Sequence, residues 1–293
     1  MKFIRQGGPI DKKYQTWKHS ISVFILHYII STILLFQFYD VIYLPFIRDK
    51  LHFDHILIGQ NQISDRKKNV SGFLMIYFLS LCLYRHFLNT TKPIEQKALM
   101  YEHTWLCNQT LIMSAICLRT DRDLLAMAYL ITVSIDQIMW YVDIIGFILF
   151  RTFPVGVVKY LTWPGTSFAT RLTCTHHVWT IPLVMYACHG IHVAAYPLSA
   201  VVMTVSVLLS RFLTPFTIQY FQNDERCEKY LNINLSHELW KDITFSWLQI
   251  QKDDPPLYLY LFRLLWRWQL FNGIIFCMVL YPLSNFVFSH EDI

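Results

Sequence analysis

Between Arg171 and Arg211 the chain carries no Asp, Glu, Lys or Arg, yet the same stretch holds His176, His177, His189 and His192. One bilayer crossing needs roughly 20 predominantly apolar residues, so a run of this length has room for two. Polar groups inside such a run are costly to desolvate and tend to be functional. The stretch therefore points to a helical membrane architecture and marks where chemistry would sit, without saying which chemistry.

Composition agrees. Of 293 residues, 54% are hydrophobic, 16% aromatic and only 15% charged, against about 25% charged in a typical soluble domain. Seventeen Tyr and nine Trp suit anchoring at two membrane–water interfaces. The formal net charge of +5 fits basic loops on one side of a membrane. There is no clustered basic face, so no nucleic-acid partner is expected. Seven Cys, an odd number with no C-x-x-C pair, argue against a disulfide framework or a structural zinc site; no metal or cofactor is expected. Residues 1–19 carry Lys2, Arg5, Lys12, Lys13 and Lys18 against Asp11, and read as a basic cytoplasmic-side tail rather than a secretory leader.

The apolar pattern predicts an all-α, polytopic bundle of about seven transmembrane helices forming one domain over residues 20–288. The spans fall near Ser20–Phe46, Val70–His86, His103–Leu118, Leu124–Phe150, Leu172–Gly190, Pro197–Pro215 and Leu257–Phe288. Backbone groups cannot stay unpaired in hydrocarbon, and the runs lack the alternation of barrel strands, so helices are the expected form. With the N-terminus inside, the inner segments hold sixteen Lys and Arg and the outer segments seven, the bias that orients such bundles. Residues 217–256 form the longest soluble piece and read as an inner-side interfacial segment; residues 289–293 form an outer tail. Membrane lipids, and other membrane proteins, are the expected partners.

In this topology several polar groups fall in one leaflet. At ~1.5 Å per residue, Cys107 lies roughly 7–8 Å from the inner surface, His177 roughly 9 Å and Asp143 roughly 12 Å. Asp136 and Asp143 are spaced i, i+7 and share a helix face. Arg263 and Arg267 open the last span from the same side. A Cys beside a His is a nucleophile–base pair, with His177 or His176 as base and Asp143 as the group that orients the imidazole. Asn232 and Asn234 offer amide donors to an oxyanion or head group, and the arginines offer a bidentate phosphate clamp. Against this, a Cys in an apolar helix is more often a small core residue, a His in a span more often an interhelical hydrogen-bond partner, and a bland role for Asp136 and Asp143 is to neutralise Arg263 or Arg267.

The segments His103–Asn108 (HTWLCN), Thr175–Tyr186 (THHVWTIPLVMY) and Leu231–Leu235 (LNINL) resemble a trio found in the YwaF-like polytopic membrane family, which is related to a mammalian acyltransferase acting on ether lysophospholipids. The resemblance covers about residues 101–234. It implies Cys107 as nucleophile, His177 as base (or its neighbour His176, since the His is doubled here) and Asn234 or Asn232 as the third motif. Two departures stand out: His103 lies four residues before the Cys, and the His is doubled.

The leading expectation is thus a thiol-dependent lipid acyltransferase or acyl hydrolase at the inner leaflet. A non-catalytic subunit of a larger membrane complex, and an ion- or proton-coupled transporter using Asp136 and Asp143, stand as alternatives. A haem carrier would need His pairs on two helices. Only the fifth span has them, as His176/His177 and His189/His192.

Overall fold

The computed structural model describes residues 17–51, 64–85, 100–164, 166–222, 225–239, 250 and 254–288. Residues 1–16 of the basic head, residues 223–224, 240–249 and 251–253 of the expected interfacial segment, and the C-terminal tail lie outside the described residues. The described chain is mostly helical. Its helices are α1 (Trp17–Gln37), α2 (Leu44–Leu51), α3 (Asp65–Leu83), α4 (Leu106–Arg119), α5 (Asp123–Thr132), α6 (Ser134–Phe150), α7 (Phe168–Thr173), α8 (His176–Cys188), α9 (Ala195–Leu213), α10 (Leu257–Ile275) and α11 (Tyr281–Phe288). One hairpin, β1 (Thr217–Gln222) paired antiparallel with β2 (Glu225–Tyr230), departs from the all-α expectation. Its register sets Thr217 opposite Tyr230 and Gln222 opposite Glu225.

Among the described residues, three helical stretches are long and apolar enough to cross a membrane: Lys18–Asp49, Ala195–Leu213 and Leu257–Phe288. The pair α5–α6, bent by 52°, makes a fourth if it counts as one span. The first of these shows why a helix of low amphipathicity suits lipid. Its inward stripe is Ser20, Val23, His27, Ser31, Leu35, Tyr39, Tyr43 and Ile47, while Ile25, Leu26, Ile29, Ile33 and Leu34 face outward. An α-helix of 3.6 residues per turn drifts off a four-residue repeat. The π-helical segment Phe38–Tyr43, which joins α1 to α2, adds residues per turn and keeps Leu35, Tyr39, Tyr43 and Ile47 on the inward side.

The centre is α5. Every residue from Leu124 to Thr132 is buried, as expected of a helix that is apolar all round. It packs against α4, α8 and α9. The run Leu124–Phe150, expected as one span, breaks at Val133. Neither Gly nor Pro causes the break; a side chain from α10 holds it open. The Asn272 carbonyl oxygen accepts from Ile135 N–H (3.1 Å) and Ser134 Oγ (3.0 Å), and its amide donates to the Thr132 carbonyl (3.0 Å). Trp268 Nε1 donates to the same carbonyl at 3.2 Å. Broken helices persist inside an apolar bundle only when the freed backbone groups find partners. The same rule operates at Pro182 in α8, which leaves the Val178 carbonyl without its helical donor. The Tyr141 hydroxyl from α6 donates to it at 2.8 Å.

Candidate active site

Two helices begin at the site. Helix α4 starts at Leu106 after an extended Trp105, placing Cys107 in its first turn. Helix α8 starts at His176, placing both histidines in its first turn. The first turn of a helix carries unpaired backbone N–H groups and the positive end of its dipole. At these two starts the groups are largely engaged: Asn234 takes the Leu106 N–H, and the Cys174 and Thr175 carbonyls take the N–H groups of His177 and Val178. The two starts meet: Cys107 Sγ and one ring nitrogen from each of His176 and His177 all lie within 4.8 Å of one another. A cavity of about 480 Å³ opens onto the three, lined also by Arg85, Trp105, Asp136, Trp140, Tyr160, Cys174, Asn234 and Trp268.

Each imidazole is held on its Nδ1 side. The last turn of α7 leaves its Thr173 carbonyl without a helical partner, and His176 Nδ1 sits 2.8 Å from it. A carbonyl only accepts, so the proton is on Nδ1 and Nε2 is the basic nitrogen. That Nε2 is buried and has no hydrogen-bond partner. His177 Nδ1 lies 3.2 Å from the Gln137 side-chain amide, and its ring stacks on Trp140 with centroids 4.3 Å apart and planes 12° apart. The two imidazoles are 4.2 Å apart, centroid to centroid.

The other expected site residues divide. Asp136 lines the cavity. Asp143 does not orient an imidazole: it is fully buried, and its carboxylate accepts from the N–H groups of Val155 (2.7 Å), Gly156 (3.0 Å) and Val158 (3.0 Å). Seven residues along a helix keep the face but shift position by about 10 Å. That shift puts Asp143 over the loop after α6, which it organises. Gln137, one position beyond Asp136, makes the imidazole contact expected of Asp143.

Asn234 lines the cavity but has no amide group left for a substrate. Its oxygen accepts from Leu106 N–H (2.7 Å), and its amide donates to the Thr104 carbonyl (3.0 Å) and to Ser210 Oγ (2.8 Å). It fixes the start of α4, one residue before Cys107. Asn232 is not among the cavity residues. It organises the turn after the hairpin, accepting from the N–H groups of His237 (3.0 Å) and Glu238 (3.2 Å). Arg263 and Arg267 are also outside the cavity; their guanidinium groups donate to the Ile250 and Arg263 carbonyls. These two therefore do not line the Cys–His cavity.

The guanidinium in the cavity is Arg85, just past the end of α3 and not among the candidate residues above. Its Nε donates to Thr173 Oγ1 (2.9 Å) and its Nη2 to Cys174 Sγ (3.2 Å), and Tyr160 donates to the same sulfur at 3.1 Å. A charged residue ending an apolar run on the side that holds Cys107 was the available signal. Gln137 and Trp140 offered none, being ordinary residues of an apolar helix.

No protein family, no curated protein and no solved structure matches this chain. What the fold and site define is a mostly helical protein, carrying helices suited to a membrane, with a Cys–His–His cluster at the meeting of two helix starts.

Proposed function

We propose that this protein is an integral-membrane lipid acyltransferase or acyl hydrolase, a seven-span bundle with its N-terminus inside, in which Cys107 is the nucleophile and an imidazole of the His176/His177 pair is the base. The observation that carries the reading is the approach of the Cys107 sulfur and the two imidazoles to within 4.8 Å inside one cavity. Of the pair, His176 has the better-defined basic nitrogen, because Thr173 holds its Nδ1 proton.

The chemistry runs in two halves. Cys107 gives its proton to the imidazole, and the thiolate attacks the ester carbonyl of a phospholipid. The tetrahedral intermediate collapses, the C–O bond breaks, and the leaving alkoxide takes the proton from the imidazolium. This leaves a thioester on Cys107 and a released lysophospholipid. An acceptor hydroxyl, from a second lysophospholipid or from water, then gives its proton to the imidazole and attacks the thioester. Collapse breaks the C–S bond and returns the thiol. Arg85, which lines the cavity, is the donor near the developing oxyanion.

The test is acyl transfer from labelled phospholipid by the purified protein. Cys107→Ala is expected to abolish it, and His176→Ala to reduce it by about 10²–10⁴-fold, with folding intact. Full activity in Cys107→Ala rules the reading out.

A second reading, proton or cation transport through Asp136, draws on the helix break three residues before that carboxylate. The backbone groups freed by the break are already engaged by Asn272, which leaves them unavailable to a transported ion. Flux lost in Asp136→Asn but unchanged in Cys107→Ala would favour transport over acyl transfer.

A further inference from the structure

We infer that Cys107, His176 and His177 form a binding site for a soft divalent transition metal of the zinc class, and that metal binding and thiol catalysis exclude each other. One thiolate and two imidazoles are a donor set that such ions take, and three protein ligands leave a fourth position open. The three donor atoms already lie within 4.8 Å of one another. Ligand atoms around tetrahedral zinc sit about 3.5 Å apart, so a movement of roughly 1 Å closes the set. Rotation of the Cys107 side chain about its Cα–Cβ bond is the movement required, since the imidazoles are anchored.

That anchoring is the second observation. Metal-bound histidines nearly always have their other ring nitrogen held by a carbonyl, carboxylate or similar group, which fixes ring and tautomer. His176 Nδ1 is held by the Thr173 carbonyl at 2.8 Å, and its buried Nε2 has no partner. His177 Nδ1 is held by Gln137 at 3.2 Å, and the Gln137 oxygen is itself buried without a partner. Turning that amide presents the oxygen to an Nδ1 proton and leaves His177 Nε2 as the ligand atom. Binding releases the Cys107 proton and the sulfur joins the metal as thiolate, in a cavity that Asp136 and Arg85 also line.

With the metal seated, the sulfur lone pair and both imidazoles are taken, and neither attack nor proton transfer proceeds. That exclusion rests on the acyl-transfer reading above, whereas the binding site itself does not.

The experiment is cobalt(II) added to the full-length protein in detergent micelles. One cobalt is expected per chain, with the visible bands of a four-coordinate site and a near-ultraviolet thiolate-to-cobalt charge-transfer band. Cys107→Ser is expected to remove the charge-transfer band. Gln137→Ala, which removes the one side-chain hydrogen bond that Gln137 makes among the described residues, to His177, is expected to weaken cobalt about 10–100-fold. Each variant is first shown to be monodisperse with native circular dichroism. No charge-transfer band in the wild type, or a band that survives in Cys107→Ser, overturns the site. Zinc is then added during acyl transfer, where inhibition reversed by chelator is expected and full activity at saturating zinc refutes exclusion. Cobalt binding without any acyl transfer by metal-free protein keeps the site and removes the catalytic reading; transfer without cobalt binding does the reverse.

Discussion

The side-chain oxygen of Asn234 accepts the backbone N–H of Leu106 at 2.7 Å, across 128 residues of sequence. The bond caps α4 from outside the helix and so sets where Cys107 stands. The cap is reinforced by two donations from the same amide, to Thr104 and Ser210. Asn234 itself adopts a left-handed backbone, with φ of 54°, a conformation Asn tolerates better than most residues.

Asn234→Ala leaves the Leu106 N–H buried without its partner, at about 1–3 kcal/mol, while the Thr104 carbonyl keeps the Gln109 amide at 2.6 Å. A lower melting temperature is expected, together with altered alkylation kinetics at Cys107. Unchanged values of both would show that α4 does not depend on this cap.

Asn272→Leu tests the broken helix. The substitution keeps the volume but removes the partner of the Ile135 N–H, while Trp268 still donates to the Thr132 carbonyl. A loss of about 1–3 kcal/mol is expected from the one buried backbone group left unsatisfied, read as a fall in the urea or thermal midpoint in micelles. A stability equal to wild type would show that the break does not depend on Asn272.

His237 gives a pH dependence outside the spans. Arg211 Nη1 donates to His237 Nδ1 at 2.7 Å, and His237 Nε2 donates to the Thr214 carbonyl at 3.2 Å, so the ring is neutral with its proton on Nε2. Burial first, then the Arg211 charge, push the imidazole down from 6.5 to about 4. The folded value lies below the unfolded one, so the unfolded chain binds more protons in this window. The contribution to stability is full above about pH 6.5 and is lost as pH falls from there through about 4. Melting temperatures measured across that window are expected to fall more steeply for wild type than for His237→Gln. Equal slopes would contradict the assignment.

What the sequence disclosed follows from how far each signal reaches along the chain. Apolar runs placed the helices, because hydropathy is local: Ser20–Phe46, Pro197–Pro215 and Leu257–Phe288 all coincide with helices suited to a membrane. The break at Val133 was not legible, because its cause is Asn272, 140 residues away from Thr132. The hairpin was missed although Thr217–Gln222 and Glu225–Tyr230 are separated by only two residues, Asn223 and Asp224, a recognised hairpin spacing; its charged second strand read as soluble loop. At the site, Cys107, His176 and His177 stood out as polar groups in apolar runs, and they do meet. Asp143 stood out for the same reason and serves the loop at Val155–Val158 instead. Depth along a helix is readable from spacing; which neighbour claims a carboxylate is not.

The most direct measurement follows an isotopically labelled acyl chain from phospholipid onto the protein, by mass spectrometry of peptides from the quenched reaction. A thiol nucleophile requires label on the peptide containing Cys107, released by hydroxylamine as a thioester is, and passed on when lysophospholipid is supplied. Label delivered to lysophospholipid at the wild-type rate by Cys107→Ala, with no acyl group ever found on the chain, would contradict a Cys107-centred chemistry outright.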